Sequence, residues 1–448
     1  MARTKQSSMK HAFWRRPDGA PHKQPNDKYA PSSLLATYGE RATVKGQQIS
    51  WPWQGLKERE IAIRASILII GADGKELNES DSKELVKKSM HDVIRRLGGG
   101  KPIPPKHLLD SVNKRATDFY NRPPVHRRLA TSISIRELPS SPVEFEKHQL
   151  MPCNRESHPY PESLLKNESF VSHHVEHSEY HCIAIDTHQA TPSQAYDAAI
   201  SAVNVIRGIW MLLTSFQSGH WSLSNRPQRT WIGKIHLSPI QTLHQPDGSL
   251  ATDLYWCDSD YTEDVKLFVP RHGWSQIEED RSRLCDMVSA SPYKHDLIRL
   301  IERYAVALDQ VNLDVAFLML WSLLEKITDT VGANYDATIQ RAIAMHTDRS
   351  SSEQLLNQMR NRRNQFVHSA RSTEERDQFC FTLKSYVDDH VLALICNKVG
   401  VNSIAEYGQF LGLPTGVDKL KRLRDLYSLA FDIRSSRTKG QGIYGEGI

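Results

Sequence analysis

The alternation of apolar and polar positions changes character along the chain. Up to residue 60 no periodic stripe emerges. Pro, Lys, Ser and Gln are frequent there, with turn signals at PDGAP and WPW, so residues 1–60 read as a loosely ordered arm. IAIRASILII at Ile61–Ile70 is β-branched and apolar, is followed by the turn GADG, and reads as a strand. SDSKELVKKSMHDVIRRL at Ser80–Leu97 reads as a helix with a Ser or Asp cap and a stop at Gly98–Gly100. Strand-like runs follow at Leu129–Ile135 and His181–Asp186. Pro192–Phe216 carries Ala199, Val203, Ile206, Trp210 and Leu213 on one stripe and reads as a long helix. Short strands are expected at Thr230–Leu237, Leu254–Cys257 and Val265–Pro270, with a turn at Pro246–Gly248.

From about residue 275 helical periodicity takes over, and prolines are scarce between Pro292 and Pro414. Helices are expected near 293–310, 312–332, 336–346, 351–369, 373–398 and 416–434. Their short connections make neighbours antiparallel, as in a bundle. The fold class expected is α+β, a mixed α/β N-terminal region followed by an all-α helical bundle. Four segments follow: the arm at 1–60, an α+β region at 61–270 (one domain or two subdomains), a helical domain at 275–435 and a Gly-rich flexible tail at 436–448. No internal repeat is visible.

Composition narrows the class without naming a function. The chain has 448 residues, of which 39% are hydrophobic. That is too apolar for a mainly disordered protein, and long enough for two or three domains at ~150 residues each. No run approaches the ~20 apolar residues of a membrane span, and the polar, basic start is not expected to act as a secretory signal. Six cysteines without a C-x-x-C pair argue against a disulfide scaffold or a zinc ribbon, so a reducing cytoplasm is expected. The net charge is +5, and residues 1–60 hold 11 basic residues against 5 acidic ones. Such an arm either solubilises the chain or touches phosphates non-specifically.

The residues with the most pointed chemistry lie in the helical part. Arg363-Asn364-Gln365-Phe366-Val367-His368 falls toward the end of the helix expected at 351–369. A guanidinium forks two hydrogen bonds onto a phosphate, and an imidazole exchanges protons near neutral pH. Together they suit cleavage of RNA, whose 2′-hydroxyl is a built-in nucleophile, so neither cofactor nor metal is required. The bare spacing is weak: Arg15 or Arg16 with His22, Arg229 with His236, and Arg341 with His346 also satisfy four to six intervening residues. Three features single out the Arg363 pair. Leu355, Met359 and Phe366 form an apolar stripe, with Arg363 on the adjacent row beside Leu356 and Val367. Asn364 and His368 share a face. VAFLMLWSLLEKI at Val315–Ile327 is apolar almost all round, so Glu325 on it needs a partner, and Arg363 is the expected one.

On these residues the chain resembles the HEPN superfamily (higher eukaryote and prokaryote nucleotide-binding), whose helical domains carry R-N-x-x-x-H. It is similar especially to the HEPN domains of abortive-infection proteins, in which a helix reading like L-W-x-L-L-E precedes the motif. Trp321-Ser322-Leu323-Leu324-Glu325 fits that pattern. The resemblance covers about residues 290–435 and implies a metal-independent endoribonuclease acting as a regulated toxin or anti-phage effector. Arg363 and His368 would be the catalytic pair, Asn364 a supporting polar residue and Glu325 the acidic residue of the earlier helix. Arg360 and Arg362 crowd the motif and would add RNA-binding charge, and either could replace Arg363 on the phosphate. The resemblance also implies a homodimer through the helical domain. Such an enzyme needs restraint, so residues 61–270 would sense a phage-derived trigger or bind RNA, or a partner protein would inhibit it. The alternative is a catalytically silent HEPN dimer that scaffolds a complex or binds nucleotides.

A cluster of His173, His174, Glu176, His177, His181 and Cys182 has helical zinc-ligand spacing, but lies in a stretch that reads partly as a strand and lacks the H-E-x-x-H order. A polar surface strand is the preferred reading. No GxxxxGK[ST], GxGxxG or G-x-S-x-G supports a P-loop, Rossmann or serine-hydrolase reading.

Overall fold

The computed structural model describes residues 10–23, 27–51, 56–72, 74, 76–140, 143–166, 180–215, 232–257, 267–332, 335–369 and 376–438. In chain order the elements are β1 (Ala12–Arg15), β2 (Pro21–His22), α1 (Ser32–Glu40), β3 (Thr43–Lys45), β4 (Gln48–Ser50), α2 (Leu56–Ala65), β5 (Ile67–Ile69), α3 (Glu79–Leu97), α4 (Pro105–Tyr120), β6 (Val125–Ile133), β7 (Val143–Phe145), β8 (His148–Pro152), α5 (Glu162–Leu165), β9 (His181–Gln189) and α6 (Pro192–Ser215). There follow β10 (Ile240–His244), β11 (Leu250–Cys257), α7 (Ser275–Ala290), α8 (Lys294–Leu308), α9 (Leu313–Ile327), α10 (Tyr335–Ala342), α11 (Arg349–Ser369), α12 (Arg376–Cys396), α13 (Ile404–Leu411) and α14 (Val417–Thr438). The class is α+β. The chain divides into two compact units. One holds the residues up to Leu129 with Asp186–Ala199 and Leu243–Thr252. The other holds Ala130–Ile185, Ile200–Thr242 and the residues from Asp253 onward.

The first unit corrects the expectation of a loose arm. β1 pairs antiparallel with β5, Trp14 opposite Ile67 and Ala12 opposite Ile69. Ala12 and Trp14 are buried, together with Leu35 and Tyr38 of α1. A four-residue alternation is too short to stand out against a polar background, yet one buried Trp contributes ~3 kcal/mol or more. The strand expected at Ile61–Ile70 is also corrected. Its first half continues α2, Ser66 closes that helix by donating its hydroxyl to the Ile63 carbonyl at 2.6 Å, and only Ile67–Ile69 is strand. A short apolar run does not separate helix from strand by period alone. α3 begins one residue earlier than expected, and its cap is an Asn instead of a Ser or Asp. Asn78 caps it by accepting from the Asp81 N–H at 2.8 Å, and Gly98 ends it at φ +83°. α4 was not anticipated. Pro105 sits in its first turn, and Leu108, Val112, Ala116 and Phe119 bury one stripe.

A six-stranded sheet runs in the order β11-β10-β6-β9-β8-β7. β8 pairs antiparallel with β9, Leu150 opposite Ile185, both buried. β10 and β11 form the hairpin expected around Pro246–Gly248, where Gly248 has φ +91°. Of the strands expected at Thr230–Leu237 and Val265–Pro270, the described residues form single bridges, Leu237 to Ile133 and Phe268 to Ile135, and the starts of both stretches lie outside the described residues. Cys153 and Cys182 are joined by a disulfide across β8 and β9, their Cα atoms 5.2 Å apart, a pairing the cysteine count did not suggest.

α6 is long and apolar enough to cross a membrane, but 72% of that window is buried inside the fold, which makes it a core helix. Gly208 lets it approach α8: a Cβ there would meet Ile301 Cγ2 at 2.7 Å. Arg207, 1% exposed, donates to Asp309 Oδ1 at 2.7 Å and to the Asn204 side chain at 2.8 Å, tying α6 to the C-terminal end of α8. The helices expected after residue 290 all form, with ends shifted by a few residues, and α7 and α13 are added. α9 lies at the centre of the bundle, burying Phe317, Leu320, Trp321 and Leu324 and packing chiefly on α8 and α12.

Candidate active site

α11 carries the motif. Asp348 opens it, accepting the Ser351 N–H at 3.1 Å, and the Ser351 hydroxyl and N–H hold that carboxyl below its ordinary value. The buried row of the helix is Ser352, Leu356, Met359 and Arg362, while Leu355, expected on the stripe, is 39% exposed. The helix is therefore turned so that Arg362 joins the core row and its neighbour Arg363 lies at the edge, half-buried.

The three arginines have different surroundings. Arg362 Nη2 donates to Asp314 Oδ1 at 3.1 Å, both side chains being 6% exposed. Its guanidinium lies 5.7 Å from the Phe317 ring centre and 5.2 Å from that of Phe379. This burial and pairing run against its expected role as RNA-binding charge or as a substitute for Arg363 on the phosphate. Arg360 donates to Asp336 Oδ1 at 2.5 Å on a more exposed surface. Arg363 stands 5.0 Å from the Tyr335 ring centre and forms no ion pair among the described residues. Tyr335 and Asp336 both belong to the first turn of α10, so one turn seats two arginines.

Glu325 does not pair with Arg363. Its Oε1 accepts the Trp321 indole N–H at 2.9 Å. The Trp321 ring meets Tyr335 edge-on at 6.2 Å. The acid and the arginine thus belong to one chain of contacts, Glu325 to Trp321 to Tyr335 to Arg363, with two aromatic rings between them. The half-buried Asn364 side chain makes no hydrogen bond among the described residues. The backbone at His368 continues α11 one turn beyond Asn364. The His368 side chain lies outside the described residues. Tyr335, Asp314 and Asp336 were missed by sequence reasoning. Asp314 and Asp336 carried one signal, their positions in the first turns of α9 and α10, where acids are favoured.

The described arginines of the competing pairs are engaged elsewhere. Arg341 donates to the Thr328 and Asp329 carbonyls at 2.7 and 3.0 Å and so closes the C-terminal end of α9. Arg15 pairs with Glu76, and Arg16 with Asp18. Arg229 lies outside the described residues. So do His173, His174, Glu176 and His177, while Cys182 is consumed by the disulfide and His181 bonds the Arg136 carbonyl. Among the described residues no cluster of three or more metal-holding side chains occurs. Comparison of the chain with protein-family models, with curated proteins and with solved structures finds no match.

Proposed function

We propose that the protein is a metal-independent endoribonuclease of HEPN type, acting as a regulated toxin or anti-phage effector. The observation that carries this reading is the environment of Arg363. Of the three crowded arginines it alone lacks a carboxylate among the described residues, and an aromatic ring holds its guanidinium at the rim of the bundle. A cation restrained by a ring face instead of an acid keeps its N–H groups available for phosphate. In the proposed reaction the 2′-hydroxyl of RNA attacks the adjacent phosphorus and the bond to the 5′-oxygen breaks. The products are a 2′,3′-cyclic phosphate and a 5′-hydroxyl. His368 takes the proton from the 2′-hydroxyl or gives one to the departing oxygen, Arg363 balances the charge that builds on the phosphoryl oxygens, and Asn364 orients the phosphate or the imidazole. Glu325 acts one step back, fixing Trp321 and through it the Tyr335 shelf. Arg360, at the surface, adds an RNA contact when its pairing with Asp336 exchanges for phosphate. Residues 61–270 then sense the trigger, and two copies pair through their helical domains.

The test is cleavage of end-labelled tRNA and mRNA in EDTA by the wild-type protein and by His368→Ala, with and without lysate from phage-infected cells. Fragments ending in a cyclic phosphate from the wild type alone are expected. Cleavage that survives His368→Ala, or that chelation abolishes, would overturn the mechanism. A protein inert under every condition would point to the silent scaffold.

A further inference from the structure

The first unit contains a cavity that the ribonuclease reading does not use. β1 and β2 are joined by a turn in which Gly19 adopts φ +82° and the Arg16 N–H donates to the Ala20 carbonyl at 2.9 Å. Asp27 lies nearby, and its carboxylate accepts the buried Trp14 indole N–H at 3.1 Å. That bond fixes the start of the Lys28-Tyr29 segment against the core, and Tyr29 packs on the core cluster behind it. Between hairpin and segment lies a cavity of about 560 Å³, open to solvent, lined by Arg16, Pro21, His22, Lys23, Lys28 and Tyr29.

Its chemistry is one-sided. Among the described residues no carboxylate lines it, and the acid beside it, Asp18, pairs with Arg16 at 2.7 Å. Three side chains with fixed positive charge and one imidazole surround an aromatic floor. The His22 ring meets Tyr29 edge-on at 4.9 Å, and Lys28 Nζ lies 5.4 Å from the centre of the same ring. Cations around a ring match a ligand with anionic groups at one end and a flat π-system at the other. The volume falls within the ~300–1,000 Å³ of ordinary small-molecule sites. The cations gather round one opening of that size instead of tracking along a strand-length stripe, as a single-stranded nucleic acid requires.

We propose that this cavity binds a nucleoside polyphosphate, with its phosphates among Arg16, Lys23 and Lys28 and its base against Tyr29 and His22. The site is independent of the helical bundle and stands whether or not the bundle cleaves RNA.

The experiment is calorimetric titration of the full chain with ATP, with inorganic tripolyphosphate and with a ten-nucleotide single-stranded RNA. ATP is expected to bind with a Kd on the order of 10–100 μM, weakening as salt rises. Lys23 and Lys28 are exposed, so Lys23→Glu combined with Lys28→Glu keeps the fold, checked by circular dichroism, and is expected to weaken ATP at least about tenfold. Tyr29→Ala, where it folds, weakens ATP while leaving tripolyphosphate binding unchanged. The proposal fails if wild type takes up no ATP at about 1 mM, or if the double charge reversal leaves ATP affinity unchanged. It also fails if the RNA ten-mer outcompetes ATP and loses its binding in the same variant.

Discussion

Truncating adjacent arginines of α11 should have opposite consequences, and that contrast tests how the helix is seated. Arg362→Ala removes the partner of Asp314. Both side chains are 6% exposed and their atoms lie 3.1 Å apart, so the variant takes the guanidinium away from a carboxylate held in the core. Breaking a buried pair on one side costs ~3–5 kcal/mol, and the contacts with Phe317 and Phe379 add to the loss. For a unit of this size that lowers Tm by on the order of 10 °C. Arg363→Ala removes a half-buried side chain that rests on one ring, worth ~0.5–1 kcal/mol, and should leave Tm within about 3 °C. The paired change Arg362→Met with Asp314→Leu fills the space without charge and should recover most of the lost stability. The assay is thermal and denaturant unfolding of all four proteins beside RNA cleavage at a temperature where each is folded. Arg362→Ala is expected to be unstable, and Arg363→Ala stable but inactive. A stable Arg362→Ala, or an Arg363→Ala that unfolds, would refute this placement of the two arginines.

Four further outcomes are expected. Tyr335→Ala frees the Arg363 guanidinium, so cleavage should fall about tenfold in kcat with a stability loss near 1 kcal/mol; unchanged kcat would remove the aromatic shelf from the mechanism. Burial alone would raise the Asp309 carboxyl, but Arg207 and His236 outweigh it and bring the pKa down to about 2. A folded value below the ordinary 3.8 gives stability that is complete above pH 4 and is lost as pH falls through 2, in all ~2 kcal/mol. Asp309→Asn should abolish that acid-limb dependence in urea melts, and an unaltered limb would contradict it. Gly208→Ala gains ~1 kcal/mol of helix propensity, but its Cβ would stand 2.7 Å from Ile301 Cγ2. Overpacking of ~1–3 kcal/mol should prevail, and a higher Tm would show that α6 and α8 are not so close. Thiol titration of unfolded, unreduced protein should count four free cysteines, Cys257, Cys285, Cys380 and Cys396; six would deny the Cys153–Cys182 bond.

Legibility in the sequence followed the length of each signal. The six helices expected after residue 290 span several turns, so their stripes repeat often enough to be recognised. α4 was overlooked although Leu108, Val112, Ala116 and Phe119 keep helical spacing, because prolines at its start and just beyond its end gave the stretch the look of a loop. α2 and β5 were fused because both are apolar and isoleucine-rich. The loose arm is the wrong reading because Ala12–Arg15 is a four-residue strand whose Trp14 is followed at once by basic residues, and burial of one large ring leaves no periodic trace.

The candidate site divides in the same way. The sequence by itself determined that the motif lies on a helix, that Asn364 and His368 share one of its faces, and that an apolar helix bearing Glu325 precedes it. These are relations between residues a few positions apart, and helix geometry settles them. The tertiary structure alone decided which arginine is buried. Arg360, Arg362 and Arg363 are chemically alike, and what separates them is whether Asp314, 48 residues before Arg362, Asp336 or Tyr335 approaches each. It also decided that Glu325 reaches Arg363 through two aromatic rings instead of an ion pair. Such contacts depend on how each helix is rotated in the bundle. That rotation is set by the packing of every large side chain at once, and no local pattern encodes it.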